Sequence, residues 1–378
     1  MLYNNAMEEL TLLVDGKNAF PEILRCIDGA KESVRINMFI WRDDIIGNRM
    51  GEAVLSAAER GVKVDISVDR YGVVLEKAEE CKRSFFHKKR TLAERIKTRV
   101  LELFYPMPEN PKRAKDEETP LYKAILSHPN ITVEKDTFKA DHSKFYIIDN
   151  EILFLGGINI EDKENGADRQ GRVYQDYMAK IVGEAHVRAF LDKLERGADT
   201  DASLLFGINR KTPTRLFEME DAYLDLIQGA ERELRITMAY FSPLKKFVNA
   251  IVSAHKRGVA VILLVPENAN FQNDLNRKTV RKIMKKTGNG VRVLFSRKMV
   301  HTKLVTSEKY ISFGSTNITK KAFRQLNELN LFVRNEPTAF VNALLDSVTE
   351  NDGYCREIAD YKEIKYKKLK AWIEGFLV

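Results

Sequence analysis

Cysteine is scarce in this sequence of 378 residues, which contains Cys26, Cys81 and Cys355 and no others. The three lie far apart, so their spacing fits neither a disulfide framework nor a set of metal ligands. No apolar run approaches the roughly 18 residues of a membrane span, and the N-terminus lacks a secretion-signal pattern. From these absences we expect a cytoplasmic protein without a transmembrane helix.

Positive charge is concentrated in one part of the chain. The formal net charge is +8, and residues 77–115 contain twelve Lys or Arg against five Glu, an excess of seven. One net positive charge is left for the rest of the chain. A basic protein favours an anionic partner, but this distribution argues against an extended nucleic-acid-binding groove.

Two parts of the sequence repeat each other. The stretch IDGAKESVRINMFIW at 27–41 matches IQGAERELRITMAYF at 227–241 at six of fifteen positions. Each copy continues with a helical pattern, a glycine turn and a second apolar strand, which end in AAERGVKVDISVD at 57–69 and SAHKRGVAVILLV at 253–265. The pattern predicts a duplicated α/β unit.

The chain length agrees with two units, because it exceeds the size at which a single core usually stops growing. We predict an N-terminal domain over 1–198, with a basic helical insertion at about 77–120, and a C-terminal domain over 199–378. Each is expected to be an α/β sandwich in which helices flank a mixed sheet. A pseudo-twofold axis between them would bring equivalent strand ends together at one composite site.

Each half contains a histidine two residues before a lysine, in HSKFYIIDNEILFLGGIN at 142–159 and HTKLVTSEKYISFGSTN at 301–317. Strand residues two apart share a face, so His142 should project with Lys144, and His301 with Lys303. Imidazole can serve as nucleophile or as general acid–base near neutral pH, and lysine can stabilise developing phosphate charge. The two pairs predict metal-free and cofactor-free cleavage of a phosphodiester, in which one histidine attacks phosphorus and the other protonates the leaving oxygen.

A glycine-containing turn and an asparagine follow each pair. Gly157 and Ser315 are expected to allow close backbone approach, and Asn159 and Asn317 to donate hydrogen bonds to phosphate oxygens. Four further histidines lack such a context and are predicted to be solvent-exposed or to lie on the surface of a helix: His87, His128, His186 and His255.

Residues 142–159 match H-x-K-x4-D-x6-G-G-x-N, and in this the chain resembles the phospholipase D superfamily. It is most similar to the bacterial cardiolipin synthase-like branch, through DGKNAFPEILRCIDGAKESVRINMFIWRDDIIG, AYFSP and QDYMAKIVG. The resemblance implies a phosphohistidine at His142, with His301 as the acid and then the base for the acceptor. It also implies an acidic residue behind each histidine, and Asp176 and Glu328 match those positions.

The second motif departs from the family pattern. Asp149, which is expected to support the first motif, has no aspartate counterpart at 306–308, and the 303–314 span is one residue shorter than 144–156. We expect the altered turn to lie beside the site. Activity is nevertheless expected, because all the reacting groups are present.

The basic insertion contains FFHKKRTLAERIKTRVLELFYPMP at 85–108, in which Leu92, Ile96, Val100 and Leu103 or Phe104 recur at helical spacing. Two phenylalanines precede this helix, and Lys and Arg fill its other face. The pattern is typical of an interfacial helix on an anionic membrane, and equally of a lid over the active site. The basic and aromatic stretch at 361–378 is predicted to be a terminal helix packed on its domain, with a second membrane contact as the alternative.

The leading prediction is a phosphatidyltransferase or phospholipase D that acts on an anionic glycerophospholipid such as phosphatidylglycerol. It would associate peripherally with the membrane and would be complete as a monomer, because one chain carries both motifs. A nuclease of the same superfamily is the alternative, as is a catalytically impaired protein that binds membrane or nucleic acid. The sequence does not separate hydrolysis from transfer, because water and an alcohol compete for the same intermediate.

Overall fold

A computed structural model describes residues 10–79, 83–86, 91–103, 118–166, 168, 171–200, 204–213 and 215–376. The strands of the first half are β1 (Leu10–Val14), β2 (Ser33–Met38), β3 (Lys63–Val68), β4 (Ile131–Glu134), β5 (Phe145–Ile148), β6 (Ile152–Gly156), β7 (Tyr174–Gln175) and β8 (Tyr177–Val182). Its helices are α1 (Asp15–Asp28), α2 (Ile45–Glu59), α3 (Arg70–Ala78), α4 (Leu92–Glu102), α5 (Pro120–Ser127) and α6 (Glu184–Arg196).

The strands of the second half are β9 (Leu205–Arg210), β10 (Leu216–Phe217), β11 (Glu233–Met238), β12 (Phe241–Ser242), β13 (Ala260–Pro266), β14 (Arg292–Ser296), β15 (Met299–Val300), β16 (Lys303–Ser307), β17 (Tyr310–Gly314), β18 (Ile318–Thr319), β19 (Glu328–Arg334) and β20 (Cys355–Ile358). Its helices are α7 (Met219–Gly229), α8 (Lys245–Lys256), α9 (Asn273–Lys286), α10 (Lys320–Arg324), α11 (Ala339–Asp352) and α12 (Lys368–Glu374). None of the described helices is long and apolar enough to cross a bilayer.

The two large sheets have the same topology. The first has the strand order β1-β8-β6-β5-β2-β3-β4, and the second has the order β10-β9-β19-β17-β16-β11-β13-β14-β20. Without its two edge strands, β10 and β20, the second sheet has the same strand order as the first sheet. The directions repeat as well, since β2 is parallel to β3 and antiparallel to β5, while β11 is parallel to β13 and antiparallel to β16. The predicted duplicated α/β fold with mixed sheets is confirmed.

The repeated elements follow from the sequence pattern. In α1, Phe20, Ile23 and Ile27 recur at helical spacing and are buried on one face. Gly61 and Gly258 end the turns that follow α2 and α8, with φ values of +96° and +92°. Residues with a Cβ atom are strained in that region, which accounts for a glycine at the equivalent place in both copies.

The two sheets face each other across a shared apolar core. The first sheet contributes residues such as Phe145 and Leu155, and the second contributes Leu304, Phe313 and Leu331, all nearly inaccessible to solvent. Helices α6 and α11 complete this core, while each half has a separate core on the outer face of its sheet. Burial of this apolar surface fixes the halves against each other and thereby positions the segments that lead into β5 and β16.

Candidate active site

A cleft of about 920 Å³, its open mouth included, contains both motif histidines. His142, Asn159 and Glu328 line it together with His301 and Asn317. Other lining residues come from α3, α4 and the loop before α9, so both halves form the walls. The structure therefore brings the two repeated motifs to one place.

Backbone hydrogen bonds between the halves hold the two histidines. The His142 N–H donates to the carbonyl oxygen of Asn327 at 2.8 Å, and the His301 N–H donates to that of Gln175 at 2.8 Å. Asn327 immediately precedes Glu328, and Gln175 immediately precedes Asp176. This exchange of equivalent contacts is what an approximate twofold relation between the halves produces.

Each histidine contacts the acidic residue of the opposite half. Nδ1 of His142 lies 3.1 Å from Oε2 of Glu328 and 3.1 Å from the carbonyl oxygen of Ser315. Nδ1 of His301 lies 2.9 Å from Oδ2 of Asp176. Because Nδ1 is engaged in both rings, Nε2 is the nitrogen that remains for chemistry.

The two lysines are fully buried beside the histidines. His142 and Lys144 precede β5, and Lys303 is the first residue of β16, so the prediction that both pairs lie within strands is only partly correct. Each ammonium group donates to the carbonyl oxygen of its own motif histidine. Lys303 Nζ also lies 3.0 Å from Nδ1 and 3.2 Å from Nε2 of His301. Both ammonium groups therefore lie directly beside the motif histidines.

Burial and the nearby lysines hold both imidazoles in the neutral form. Burial, reinforced by the charges of Lys144 and Lys303, lowers the pKa of His142 well below its ordinary value. Burial and the charge of Lys303 lower the pKa of His301 to about 4. At neutral pH an unprotonated Nε2 is thus available for attack, whereas the acid would have to gain its proton when a phosphate anion neutralises the lysines.

The two carboxyl groups differ in charge state. Burial opposes ionisation of Asp176, but the charge of Lys303 and the hydrogen bond from His301 lower its pKa below the ordinary value. Burial raises the pKa of Glu328 to about 8, so this group is largely protonated at pH 7. Burial and Lys303 also lower the pKa of Lys144 to about 7. The two halves of the site are therefore chemically unequal despite their common topology.

The predicted phosphate-binding residues lie close to these groups. A Cβ atom on Gly157 would come within 2.6 Å of the carboxylate of Asp176, so glycine is required for that carboxylate to fit. The Ser315 hydroxyl donates to Glu328 Oε2, and the Ser315 N–H donates to the carbonyl oxygen of Leu329. Gly157 thus leaves space for the carboxylate of Asp176, and Ser315 binds the carboxyl group of Glu328.

The two asparagines line the cleft itself. Asn317 accepts a hydrogen bond from the backbone N–H of Tyr240 at 3.3 Å. Asn159 is 2% exposed, and its Oδ1 atom has no hydrogen-bond partner among the described residues. An unpaired buried amide in a cleft is suited to contact a ligand, either directly or through water.

Asp149 lies away from this cleft and has a counterpart in the second half. Its carboxylate accepts hydrogen bonds from the backbone N–H groups of residues 31–33 at 2.8–2.9 Å. Glu308 accepts from those of residues 231–233 at 3.0–3.3 Å, an offset of 200 residues. The longer glutamate replaces the aspartate in the shorter turn. Both turns follow the ends of β5 and β16 that are distant from the histidines, so the prediction that the altered turn lies beside the site is wrong.

Among the described residues, one group could supply three metal ligands: Glu164, Asp176 and His301, whose donor atoms lie within 4.8 Å of one another. Lys303 Nζ lies 3.0 Å from Nδ1 of His301 and 3.5 Å from Oδ2 of Asp176. An ammonium group therefore already occupies the neighbourhood of these ligand atoms. This arrangement is better suited to holding a proton than to binding a divalent cation.

The remaining histidines were predicted to lie at the surface. His128 and His255 are partly exposed, but His186 on α6 is 7% exposed, so the prediction is wrong for it. The apolar body of a histidine permits this position on a helix face that packs against a core. His87 lies outside the described residues.

Helix α4 presents its apolar stripe to solvent at the rim of the cleft. Leu92 is 74% exposed, and Ile96, Val100 and Leu103 are exposed too. The other side of the helix faces the protein, where Leu101 lines the cleft. The stripe therefore does not form the apolar underside of a lid that packs on the described residues.

The two phenylalanines before α4 belong to the core of the first half, and the prediction that they form part of an interfacial surface is wrong. Phe85 and Phe86 are at most 1% exposed, and their rings pack against Trp41 at centroid distances of 5.5 and 5.1 Å. The other part of that prediction, residues 87–90 and 104–108, lies outside the described residues.

A buried polar cluster beside the cleft was not predicted. Glu79 receives hydrogen bonds from Arg42 at 2.5 Å, from Lys163 at 2.9 Å and from Asn270 of the other half at 2.8 Å. Its members are spread over more than 220 residues and share no motif spacing. Around residues 79 and 163 the sequence is densely charged, so no local pattern in it marked these side chains as buried.

Comparisons with known proteins place the chain among enzymes of phospholipid synthesis. A family model described as "Cardiolipin synthase, PLD-like domain" matches residues 23–196 and 223–350. Cardiolipin synthase B of Escherichia coli K12 is 23% identical over 350 residues, which cover 86% of this chain and 76% of that protein. Cardiolipin synthase of Staphylococcus aureus is 23% identical over an alignment of 402 positions, gaps included, which covers 99% of this chain and 74% of that protein.

Solved structures show the same fold. Phosphatidylserine synthase of Haemophilus influenzae superposes with a TM-score of 0.69 at 13% identity, over 97% of this chain and 92% of that one. Polyphosphate kinase of Porphyromonas gingivalis superposes with a TM-score of 0.56 at 14% identity, over 100% of this chain and 54% of that one. At these identities the likeness concerns the fold alone.

Proposed function

The chain belongs to the cardiolipin synthase, PLD-like domain family of the phospholipase D superfamily, and on that premise we propose that it transfers the phosphatidyl group of an anionic glycerophospholipid through a phosphohistidine. The observation that carries the proposal is the crossed pairing in one cleft, where His142 contacts Glu328 and His301 contacts Asp176. Each half supplies a histidine to the cleft and a carboxyl group to the histidine of the other half. A single chain is therefore sufficient for a complete site.

In the first half-reaction, Nε2 of His142 attacks phosphorus. The P–N bond forms as the bond from phosphorus to the headgroup oxygen breaks, and that oxygen takes the proton from Nε2 of His301. Lys144 and Lys303 stabilise the negative charge on the equatorial phosphate oxygens. Asp176 stabilises the protonated form of His301 before the proton is transferred.

In the second half-reaction, an alcohol enters where the headgroup left. Its oxygen attacks phosphorus, its proton passes to Nε2 of His301, and the P–N bond to His142 breaks with its electron pair returning to the ring. A glycerophospholipid as the alcohol gives transfer, and water gives hydrolysis. No step uses a metal ion.

Helix α4 supports a membrane source for the donor. Its apolar stripe is exposed, and its polar side is fixed by Glu94, which accepts two hydrogen bonds from Arg70 at 2.9 and 3.0 Å. Arg95 and Arg99 are exposed on the same helix. Apolar groups flanked by cations favour an anionic bilayer surface. We place the rim of the cleft at the membrane surface through this helix, which makes the protein peripheral.

The C-terminal helix α12 offers a second candidate membrane contact. It packs on α9 through Ala371 and Glu374, and Glu374 accepts the backbone N–H of Leu275 at 2.7 Å. The opposite face exposes Trp372 and Phe376. Packing on the domain was the favoured prediction for this segment, and a membrane contact by the exposed aromatic pair is compatible with it.

The test is incubation with phosphatidylglycerol vesicles in buffer that contains EDTA, followed by mass spectrometry of the lipids. The proposal expects cardiolipin with released glycerol, accompanied by phosphatidic acid wherever water competes. A protein with no product from this lipid, but with cleavage of single-stranded DNA, would instead be the nuclease alternative. Complete dependence on one divalent ion would contradict the mechanism.

A further inference from the structure

Gln272 combines three features that direct it towards a ligand. It lines the cleft and is 3% exposed, yet its Oε1 atom has no hydrogen-bond partner among the described residues. Its backbone is left-handed, with φ at +57°, although it is not a glycine. Buried polar atoms are nearly always paired, and non-glycine residues in this conformation concentrate at binding sites.

The loop that carries Gln272 is firmly held. The Tyr240 hydroxyl donates to Oδ1 of Asn270 at 2.8 Å, and Nδ2 of Asn270 donates to Oε1 of Glu79 in the other half at 2.8 Å. The Ala269 N–H donates to Asn273 at 3.0 Å. The amide of Gln272 is therefore presented by a fixed backbone, as a binding group requires.

This wall lies on the His301 side of the cleft. The Tyr240 ring centroid is 6.1 Å from that of His301 and 5.9 Å from that of Phe271, the neighbour of Gln272. On the opposite side, Phe39 packs against His142 with centroids 4.8 Å apart. In an in-line displacement by His142, the leaving headgroup and the incoming alcohol both occupy the His301 side.

The charges of the same wall are already paired. Lys163 lies 2.9 Å from Glu79 and 3.2 Å from Glu161, and Arg42 contacts both of these carboxylates. The two cations thus offset the two anions. Among the described residues of this wall, a free ammonium or carboxylate on a headgroup would meet charges that are already paired, whereas a neutral hydroxyl needs only a hydrogen-bonding group.

We propose that Gln272 binds a second hydroxyl of the alcohol that leaves or enters at His301, so that the enzyme selects a glycerol-type headgroup over a monohydric alcohol. A hydroxyl both donates and accepts, so it can satisfy the amide of Gln272 in either orientation. This inference rests on the proposed function and specifies the alcohol class for the same site. Gln272 acts as a specificity residue and takes no part in proton transfer.

The test uses a short-chain phosphatidyl-p-nitrophenol donor, whose leaving group needs no second hydroxyl. Glycerol and 1-propanol compete as acceptors, and mass spectrometry gives the ratio of the two phosphatidyl alcohols. Wild type should favour glycerol. Gln272→Met has a side chain of similar size and is also a non-glycine residue in the left-handed backbone, but it lacks the amide. It should lower the ratio of glycerol product to propanol product by about 2–10-fold, the range of one net neutral hydrogen bond.

Gln272→Gly is the second variant, because glycine accepts the left-handed backbone without strain. It should lower the ratio as Gln272→Met does, and because the ratio compares two products of the same protein, it does not depend on the overall rate of nitrophenol release. An unchanged ratio in both variants, or no glycerol preference in wild type, would overturn the assignment. Absence of nitrophenol release from wild type would instead contradict the proposed function on which the inference rests.

Discussion

Nδ1 of His142 lies 3.1 Å from the carboxyl group of Glu328, a residue 186 positions later in the other half of the chain. The reciprocal contact, from Nδ1 of His301 to Asp176, spans 125 positions. Neither half alone contains a histidine with its acidic partner. Formation of the site therefore depends on docking of the two sheets through their shared core.

The unequal charge states of the two carboxyl groups predict unequal effects of neutral replacement. Asp176→Asn removes the ionised partner that stabilises His301 in its protonated form, and kcat/KM should fall by about 10²–10⁴-fold, the usual worth of acid–base assistance. Glu328→Gln replaces a largely protonated group and should cost less than about 10-fold at pH 7. Steady-state kinetics on a soluble short-chain phosphodiester would show this order. Equal losses would contradict the assigned charge states.

The pKa values predict a bell-shaped pH profile. As pH falls, protonation of His142, whose pKa lies well below the ordinary value, removes the nucleophile, so kcat/KM falls on the acid side. As pH rises through about 7, Lys144 loses its charge and phosphate binding weakens. Lys144→Arg keeps the charge at every pH, so the alkaline limb should move upwards whatever the absolute rate. A limb that stays in place would assign it to another group.

Sequence reasoning identified the repeat and the motif residues that meet in the cleft, because short spacings carry them. The histidine–lysine pairs and the acidic positions Asp176 and Glu328 stand in recognisable strings, and the helix–strand order follows hydrophobic periodicity. The crossed pairing was not predictable in this way, since it depends on contacts between segments more than 120 residues apart. The domain boundary near residue 198 stays a prediction.

Three other features were not predicted, because no motif in the sequence marks them. Glu308 was interpreted as the loss of an aspartate, because a pattern compares letters, whereas the backbone N–H groups require only a carboxylate within reach. Gln272 has no motif around it, and its significance comes from a backbone angle and an unpaired atom. Phe85 adjoins a basic segment in sequence but packs in the core.

Asp149 and Glu308 have the same role in the two turns, so replacing either should lower the stability of the protein without lowering its catalytic activity. Asp149→Ala should lower the free energy of unfolding by about 1–3 kcal/mol, because three backbone donors lose their charged acceptor. The pKa of Asp149 is lowered in the folded protein, so the stabilisation is present above its unfolded pKa and disappears as pH falls through the folded value.

Urea unfolding at pH 7 and at low pH would measure this change, with Glu308→Ala as the matched variant. The turns lie roughly 20 Å along extended strands from the histidines, at about 3.3 Å per residue, so kcat at 25 °C should stay near that of wild type. A catalytic loss greater than the loss of folded protein would contradict the structural assignment.

If α4 docks on the membrane, substitutions on this helix should weaken vesicle binding without abolishing catalysis. Replacing Leu92, Ile96 and Val100 with Ser should weaken co-flotation with phosphatidylglycerol vesicles at both low and high ionic strength. Arg95→Glu with Arg99→Glu should weaken it mainly at low ionic strength, since salt screens surface charge. Activity on a soluble phosphodiester should persist in both.

Leu345→Ser provides the control, because this exposed leucine lies on α11, which contributes nothing to the described lining of the cleft. It should float with vesicles as wild type does. If the α4 variants also bind as wild type, docking must use another surface, and α12 with Trp372 becomes the next candidate.

The most direct test of the central claim is peptide mass spectrometry of His301→Ala protein after incubation with a short-chain phosphatidyl-p-nitrophenol, whose leaving group departs without a general acid. Without the group that activates the incoming alcohol, the covalent intermediate should accumulate, and the phosphatidyl adduct should be found on His142. His142→Ala, treated in the same way, should carry no adduct and form no product. An adduct on His301 in His142→Ala protein, or product formation by that variant at the wild-type rate, would contradict the assignment of His142 as the nucleophile.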